Sequence, residues 1–254
     1  MNYPSTPSFN LNGKRSLITG AGRGIGLGAS IALAQAGSEI VMVSRTEKEL
    51  VQLNQYIQDL ELKSKYKVLD VTDEKSVENF ISEEKPFDIL VNNAGTNIPS
   101  SLTDTKIEDF DYVMSLNVKS VINLTKQVVL KMLDNNICGS IINVSSQMGH
   151  VGGPNRTTYC STKFAIEGFT KSLSIELAPK GIRVNSICPT FIKTPMTEPF
   201  LKDDKFKEQV ISMIPLGRLG EIEDLMGPFV FLASDASSLM TGSSLLVDGG
   251  WTAR

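Results

Sequence analysis

The sequence predicts an α/β fold: a single domain on a doubly wound, parallel seven-stranded sheet with helices on both faces. Three observations carry this expectation. Short apolar runs of strand length alternate along the chain with longer segments whose apolar residues recur at helical spacing. The first run ends in a glycine-rich turn that opens a helix, and no linker-like stretch divides the 254 residues. Repeated strand–helix–strand units imply parallel pairing, because each crossover helix packs on a sheet face as it returns the chain to the same end.

Residues 1–12, with Pro4, Ser5, Thr6, Pro7 and Ser8, have neither a basic start nor an apolar stretch, so they do not read as a signal peptide. They are expected to form a mobile tail before a domain spanning 13–254. Arg15–Thr19 reads as a strand, and residues 29–36 as a helix closed by Gly37. A second strand over Glu39–Ser44 and a helix over 47–60 follow. The alternation continues through strands at 66–69 and 88–91 with a helix at 73–84 between them. A long helix is expected over 107–133, then a strand running to Ser146, a helix reaching residue 177, and strands at 183–187 and 244–247. Between residues 190 and 215 the pattern breaks. Prolines at 195, 199 and 215 punctuate a connection long enough to be a lid or binding loop.

Hydrophobic content of 41% and charged content of 21% are ordinary for a globular chain, and a net charge of -3 gives no reason to expect nucleic-acid or membrane-surface binding. Three cysteines, Cys138, Cys160 and Cys188, form an odd set without metal-ligand spacing. They suit reduced thiols in a cytoplasm, and no metal site is expected.

The glycine turn Gly20-Ala-Gly22-Arg23-Gly24-Ile25-Gly26 suits phosphate, because glycine lets backbone approach a pyrophosphate while the following helix start offers free N–H groups and a positive dipole. It also fits a plain tight turn. In dinucleotide sites an acidic residue at the end of the second strand binds the ribose 2′-hydroxyl. Ser44 and Arg45 stand there instead. A guanidinium pairs with a 2′-phosphate that a carboxylate would repel, so the pattern leans to NADP(H), with Arg23 as reinforcement and NAD(H) still possible. Both arginines could equally be solvated.

Tyr159 and Lys163 lie four apart in a helical pattern, so they share a face. A free phenol titrates near ~10, and an adjacent ammonium favours phenolate, so Lys163 is expected to lower the Tyr159 pKa toward working pH. A solvated pair on an amphipathic helix would look the same. Ser146 adds weight, since it ends an apolar strand, and open α/β sheets bind ligands at strand carboxyl ends. In the stretch between Ser146 and Tyr159, Gln147, His150, Asn155 and Arg156 offer hydrogen-bonding groups that suit a polyol, sugar or sugar acid. Arg156 could pair with an anionic group or form a surface salt bridge.

Together these pieces resemble the short-chain dehydrogenase/reductase family, from about Gly13 onward. Thr19-Gly20-x-x-x-Gly24-x-Gly26 is similar to its cofactor turn, Asp70-Val71 to its adenine contact, and Asn92-Asn93-Ala94-Gly95 to its central-strand motif. Asn117, Ser146, Tyr159 and Lys163 resemble its catalytic tetrad, with Ser146 preferred to Ser145 because 159 − 146 gives the family's interval of 13. The resemblance implies a Rossmann-like fold and hydride transfer between nicotinamide and a carbonyl or alcohol carbon. In that scheme Tyr159 gives the proton, Ser146 orients the oxygen, Lys163 holds the ribose and Asn117 supports a water relay. It also implies nicotinamide contacts from Pro189, Ile192 and Thr194, although Thr190 replaces the glycine common after the proline. A homotetramer with two-fold axes is expected on the same ground. Within the family the chain resembles members of sugar, polyol or gluconate type. Alternatives are a 3-oxoacyl carrier-protein or coenzyme A reductase, or a non-catalytic nucleotide-sensing subunit.

Overall fold

The computed structural model describes residues 3–253. Strands β1 (Arg15–Thr19), β2 (Glu39–Ser44) and β3 (Ser64–Val68) are linked by helices α1 (Gly24–Gln35) and α2 (Glu47–Asp59). Helix α3 (Glu74–Glu83) leads to β4 (Ile89–Asn92), and α4 (Ile107–Met114) and α5 (Ser120–Asp134) lead to β5 (Ser140–Val144). Helix α6 (Thr157–Leu177) returns the chain to β6 (Arg183–Pro189). Helices α7 (Glu198–Leu201), α8 (Asp204–Ser212) and α9 (Glu223–Ala233) then precede β7 (Ser244–Val247). All seven strands pair in parallel in the order β3-β2-β1-β4-β5-β6-β7. The order reverses between β1 and β4, and the crevice at such a switch point is where doubly wound sheets bind ligands.

Alternation along the strands builds two cores. Ile18, Ile40, Met42, Val91 and Ile142 face one side and pack with Leu33 of α1, Leu50 of α2 and Phe229 of α9. Leu17, Val41, Val43, Leu90 and Ile141 face the other, against Phe80 of α3, Val128 of α5 and Leu177 of α6. Burial on both faces is why these strands read as continuous apolar runs.

Three expectations need correction. Leu11 belongs to the packed domain: it is buried, and its amide donates to the Ala36 carbonyl at 2.8 Å. The expected tail therefore stops short of residue 12, and the Phe9 ring already lies 6.3 Å from that of Phe231. The long helix expected over 107–133 is interrupted by a π-helical turn, Ser115–Lys119. Such turns widen the backbone at functional positions, and Asn117 sits inside this one. Half of the 190–215 connection is helical, and it packs on a small core of Val210, Ile214 and Leu219 with Phe191, Phe206 and Trp251. Its prolines and charges hid α7 and α8 from a periodicity reading.

Candidate active site

The glycine turn is locked to the end of β4. Asn93 donates its side-chain amide to the carbonyls of Thr19 (2.9 Å) and Gly20 (3.0 Å). In return Thr19 Oγ1 accepts the backbone N–H groups of Asn93 (2.9 Å) and Ala94 (3.0 Å). A Cβ on Gly26 would lie 2.3 Å from the Gly20 carbonyl oxygen and 2.5 Å from Asn93 Nδ2, so only glycine fits this crossing. Arg23 precedes α1 without a side-chain cap. The first-turn N–H groups are thus left for a ligand, which is the donor set a pyrophosphate needs. Thr194 closes the turn from the far side: a Cβ on Gly24 would meet its side chain at 3.4 Å. Pro189 ends β6, Ile192 is buried, and Ile25 packs against the core.

The ends of β2 and β3, where the adenosine is expected, are of mixed charge. Arg45 is exposed; its guanidinium donates to the Tyr112 hydroxyl at 3.3 Å and lies 3.9 Å from Asp70. Asp70 also accepts from the Thr72 N–H (2.9 Å) and hydroxyl (2.7 Å), holding the turn that buries Val71. Arg23 pairs with Glu49 at 3.3 Å. The sequence reading missed Glu49, which lies on α2 rather than at the strand end. A Cβ on Gly22 would meet its carboxylate at 2.9 Å and the Ser44 hydroxyl at 3.4 Å, so an acidic group does stand beside Ser44.

The residues expected to be catalytic gather around the end of β5 and the first turns of α6. Ser146 Oγ accepts from Met148 N–H at 3.1 Å, capping the 3-10 turn Gln147–Gly149, and it hydrogen-bonds the Tyr159 phenol. Ser145 faces the other way, toward Cys188. Lys163 is buried and donates to the Val144 carbonyl at 2.9 Å, its Nζ 5.5 Å from the centre of the Tyr159 ring. Asn117 is held on three sides: its amide donates to the Thr96 carbonyl (2.9 Å) and Thr162 hydroxyl (3.1 Å), and its oxygen accepts from Thr96 N–H (2.9 Å). Gly95 lies against that oxygen.

The expected depression of the Tyr159 pKa is absent in the chain alone. Burial pushes the phenol up to about 12, with the Ser146 hydrogen bond working against the rise. Burial likewise pushes Lys163 down to about 8, while Cys188 and Glu167 hold it up. Sharing a helix face did not bring the ammonium to the phenolic oxygen, because Lys163 is drawn to the end of β5.

Beyond Ser146, Gln147 is buried with its Oε1 unpartnered, and Asn97 Oδ1 and Thr190 Oγ1 are unpartnered as well, among the described residues. Asn155 is exposed in a left-handed turn (φ 56°), and its carbonyl accepts from Arg156 Nη1 at 3.1 Å. Arg156 is buried with its guanidinium 5.4 Å from the centre of the Phe200 ring on α7. Of the two alternatives for Arg156, it does not make the surface salt bridge: burial lowers its pKa, the charges bearing on it are Tyr159 and Cys160, and no carboxylate pairs with it among the described residues. Asn97 carried no sequence signal, being a single polar residue in an irregular segment, and Thr190 stood out only as the replacement for the glycine common after Pro189.

Residues 20–252 match a family profile described as enoyl-(acyl carrier protein) reductase. The chain is 41% identical to a 3-oxoacyl-(acyl-carrier-protein) reductase, FabG, of Thermotoga maritima, over 95% of this chain and 99% of that one. It is 37% identical to L-xylulose reductase of Bos taurus, over 96% and 99%. Among solved structures, a gluconate 5-dehydrogenase of Burkholderia cenocepacia, in complex with NADP and tartrate, superposes with a TM-score of 0.93 at 34% identity, covering 97% of this chain and 98% of that one. The chain is therefore a nicotinamide-dependent oxidoreductase that belongs to the short-chain dehydrogenase/reductase family.

Proposed function

We propose that this enzyme interconverts a carbonyl and a secondary alcohol on a small polyhydroxy acid, using NADP(H) in preference to NAD(H). The observation that carries the substrate class is Arg156, a buried guanidinium with no carboxylate partner among the described residues. An unpaired buried cation is costly, and a substrate carboxylate in bidentate contact removes that cost. The unpartnered Gln147 and Asn97 oxygens accept hydrogen bonds only, and hydroxyls of the substrate donate them. Tartrate, bound by the gluconate 5-dehydrogenase neighbour, has this chemistry.

Bound nicotinamide supplies or accepts the hydride. In reduction the Tyr159 phenol, held protonated by its burial, passes its proton to the forming alkoxide, while the Ser146 hydroxyl donates to the same oxygen. Lys163 and Asn117 keep the Tyr159 surroundings polar and ordered, and solvent returns the proton. Ser44 and Arg45 receive the 2′-phosphate, and the Glu49 carboxylate, paired with Arg23, sets a limit on that preference.

The identity with the 3-oxoacyl reductase favours a second reading, in which the substrate is an acyl thioester. Steady-state rates on a panel of sugar acids, their neutral polyol counterparts and 3-oxoacyl thioesters separate the two. Turnover of thioesters with none on any polyhydroxy compound overturns the first reading. We also place the enzyme in the cytoplasm as a homotetramer. Phe110, Ile122, Leu130, Phe164 and Ile175 leave apolar surface on α4, α5 and α6, and β7 is a sheet edge with Leu246 exposed. Light scattering that reports a monomer at micromolar concentration refutes the tetramer.

A further inference from the structure

His150, Glu167 and Cys188 are 17 and 21 positions apart in sequence, yet their ligand-capable atoms all lie within 4.8 Å of one another. Three elements bring them together: the turn after β5 carries His150, α6 carries Glu167 one turn beyond Lys163, and β6 carries Cys188. His150 Nε2 is 3.4 Å from Cys188 Sγ and 3.6 Å from Glu167 Oε2, and Cys188 Sγ is 3.4 Å from Glu167 Oε1. From these positions we propose that the three side chains bind a zinc ion, in a site that adjoins Lys163 but uses none of the four expected catalytic residues.

The spacing is the first ground. Zinc bonds of about 2.0–2.1 Å to nitrogen, 2.0–2.2 Å to oxygen and 2.3 Å to sulfur at tetrahedral angles separate the ligand atoms by roughly 3.3–3.6 Å. The nitrogen–sulfur separation of 3.4 Å falls in that range, while the carboxylate meets the nitrogen with Oε2 and the sulfur with Oε1, and one atom from each residue lies within 4.8 Å of the others. Hydrogen bonding alone explains the imidazole less well. One ring nitrogen faces both a sulfur and a carboxylate oxygen, it can bond only one of them well, and 3.6 Å is beyond hydrogen-bond length. A cation above the triangle satisfies all three.

Charge and outer support are the second ground. Zinc with a thiolate, a carboxylate and a neutral imidazole sums to zero, which suits a site where Glu167 and Cys188 are buried. On binding, the zinc–sulfur bond forms as the Cys188 S–H proton leaves to solvent, with no change of oxidation state. Ser186 donates to Glu167 Oε2 at 3.0 Å, and Ser244 also donates to that oxygen, so the carboxylate is oriented from behind as metal ligands commonly are. Ser145 is buried, and its hydroxyl faces Cys188. It stands where a fourth oxygen ligand, direct or through water, completes the shell. The nitrogen, sulfur and oxygen set selects zinc over magnesium or calcium, which take oxygen ligands.

The test uses the full chain in a non-chelating reductant, titrated with cobalt(II) as a spectroscopic stand-in and with zinc by equilibrium dialysis. One equivalent per chain is expected, with a thiolate-to-cobalt band in the near ultraviolet and a melting temperature that rises with zinc concentration. Cys188→Ser should abolish the band, and His150→Gln, on a partly exposed turn that tolerates the change, should weaken zinc at least ~10-fold. The double variant Cys138→Ser/Cys160→Ser should keep the band. If folded unsubstituted protein takes up no stoichiometric metal, the site is overturned. It is equally overturned if His150→Gln binds as tightly as the parent or if the double variant loses the band, since the metal then lies elsewhere. His150→Gln keeps the question decidable if Cys188→Ser fails to fold.

Discussion

The proposed reacting centre and the proposed substrate-facing turn adjoin each other but are built on opposite principles. At Ser146, Tyr159, Lys163 and Asn117, polar atoms find partners within the chain: Asn117 makes three hydrogen bonds, Lys163 holds the Val144 carbonyl, and Ser146 serves Met148 and Tyr159. A few residues along the chain Gln147 buries an oxygen with no partner and Arg156 buries a charge against an aromatic ring, and Asn97 and Thr190 bury unpartnered oxygens too, among the described residues. A centre satisfied internally keeps its geometry whatever is bound, whereas a surface left unsatisfied gains from a ligand that matches it. On the proposed function the chemistry is thus separated from the selectivity.

The largest test of that separation is Tyr159→Phe. It removes the transferable proton and little volume, so turnover should fall by about 10²–10⁴-fold while cofactor affinity, read by fluorescence titration, stays within ~3-fold. Retained turnover would remove Tyr159 as the acid. Arg156→Leu should do the reverse. Losing a charged hydrogen-bonding partner is worth roughly 1.5–3 kcal/mol, so KM for a sugar acid should rise about 10–100-fold with little change for the neutral polyol. Equal changes for both compounds would merge the two regions and discard the anion.

The two regions also differ in how legible they were. β1, β2 and β5, the glycine turn and the Tyr159–Lys163 spacing were readable because apolar runs, glycine and a four-residue interval are local signals. The π-turn under Asn117 was not, since one extra residue in a helix leaves the apolar pattern nearly unchanged. The downward pull expected on Tyr159 failed for a related reason: spacing gives the face a side chain shares, but not which carbonyl draws its tip away, and Val144 draws Lys163. Glu49 beside Ser44, the lone Arg156 charge, and the meeting of His150, Glu167 and Cys188 depend on packing between distant segments, and no local pattern encodes that.

Arg45→Asp extends the comparison to the cofactor end and should have a smaller effect. The guanidinium is exposed and already engaged with Tyr112 and Asp70, so its pairing with a 2′-phosphate is screened by solvent. The ratio of NADP to NAD affinity should fall about 10-fold, and Glu49→Gln should move it the other way by less. An unchanged ratio in Arg45→Asp would place cofactor selection elsewhere.

The smallest effect expected is on stability, and it asks whether the reacting centre strains the fold that holds it. Burial lowers Lys163 from 10.5 to about 8. Between those values the unfolded chain binds the proton that the folded chain has given up, so stability should rise with pH through that window and the ammonium should cost stability below it. Tyr159 behaves oppositely: its pKa is raised from 10.0 to about 12 by burial. Above pH ~10 the unfolded chain loses a proton that the folded chain keeps, and stability should fall as pH climbs toward that upper value. The cofactor-free enzyme should therefore show a melting temperature with an added upward slope above pH ~8 that turns over near ~10. In Lys163→Met the upward slope should vanish and the downward one remain, as differential scanning fluorimetry across this range can read. A variant with the parent's full profile would mean that Lys163 titrates alike in both states, and the reacting centre would then carry no such strain.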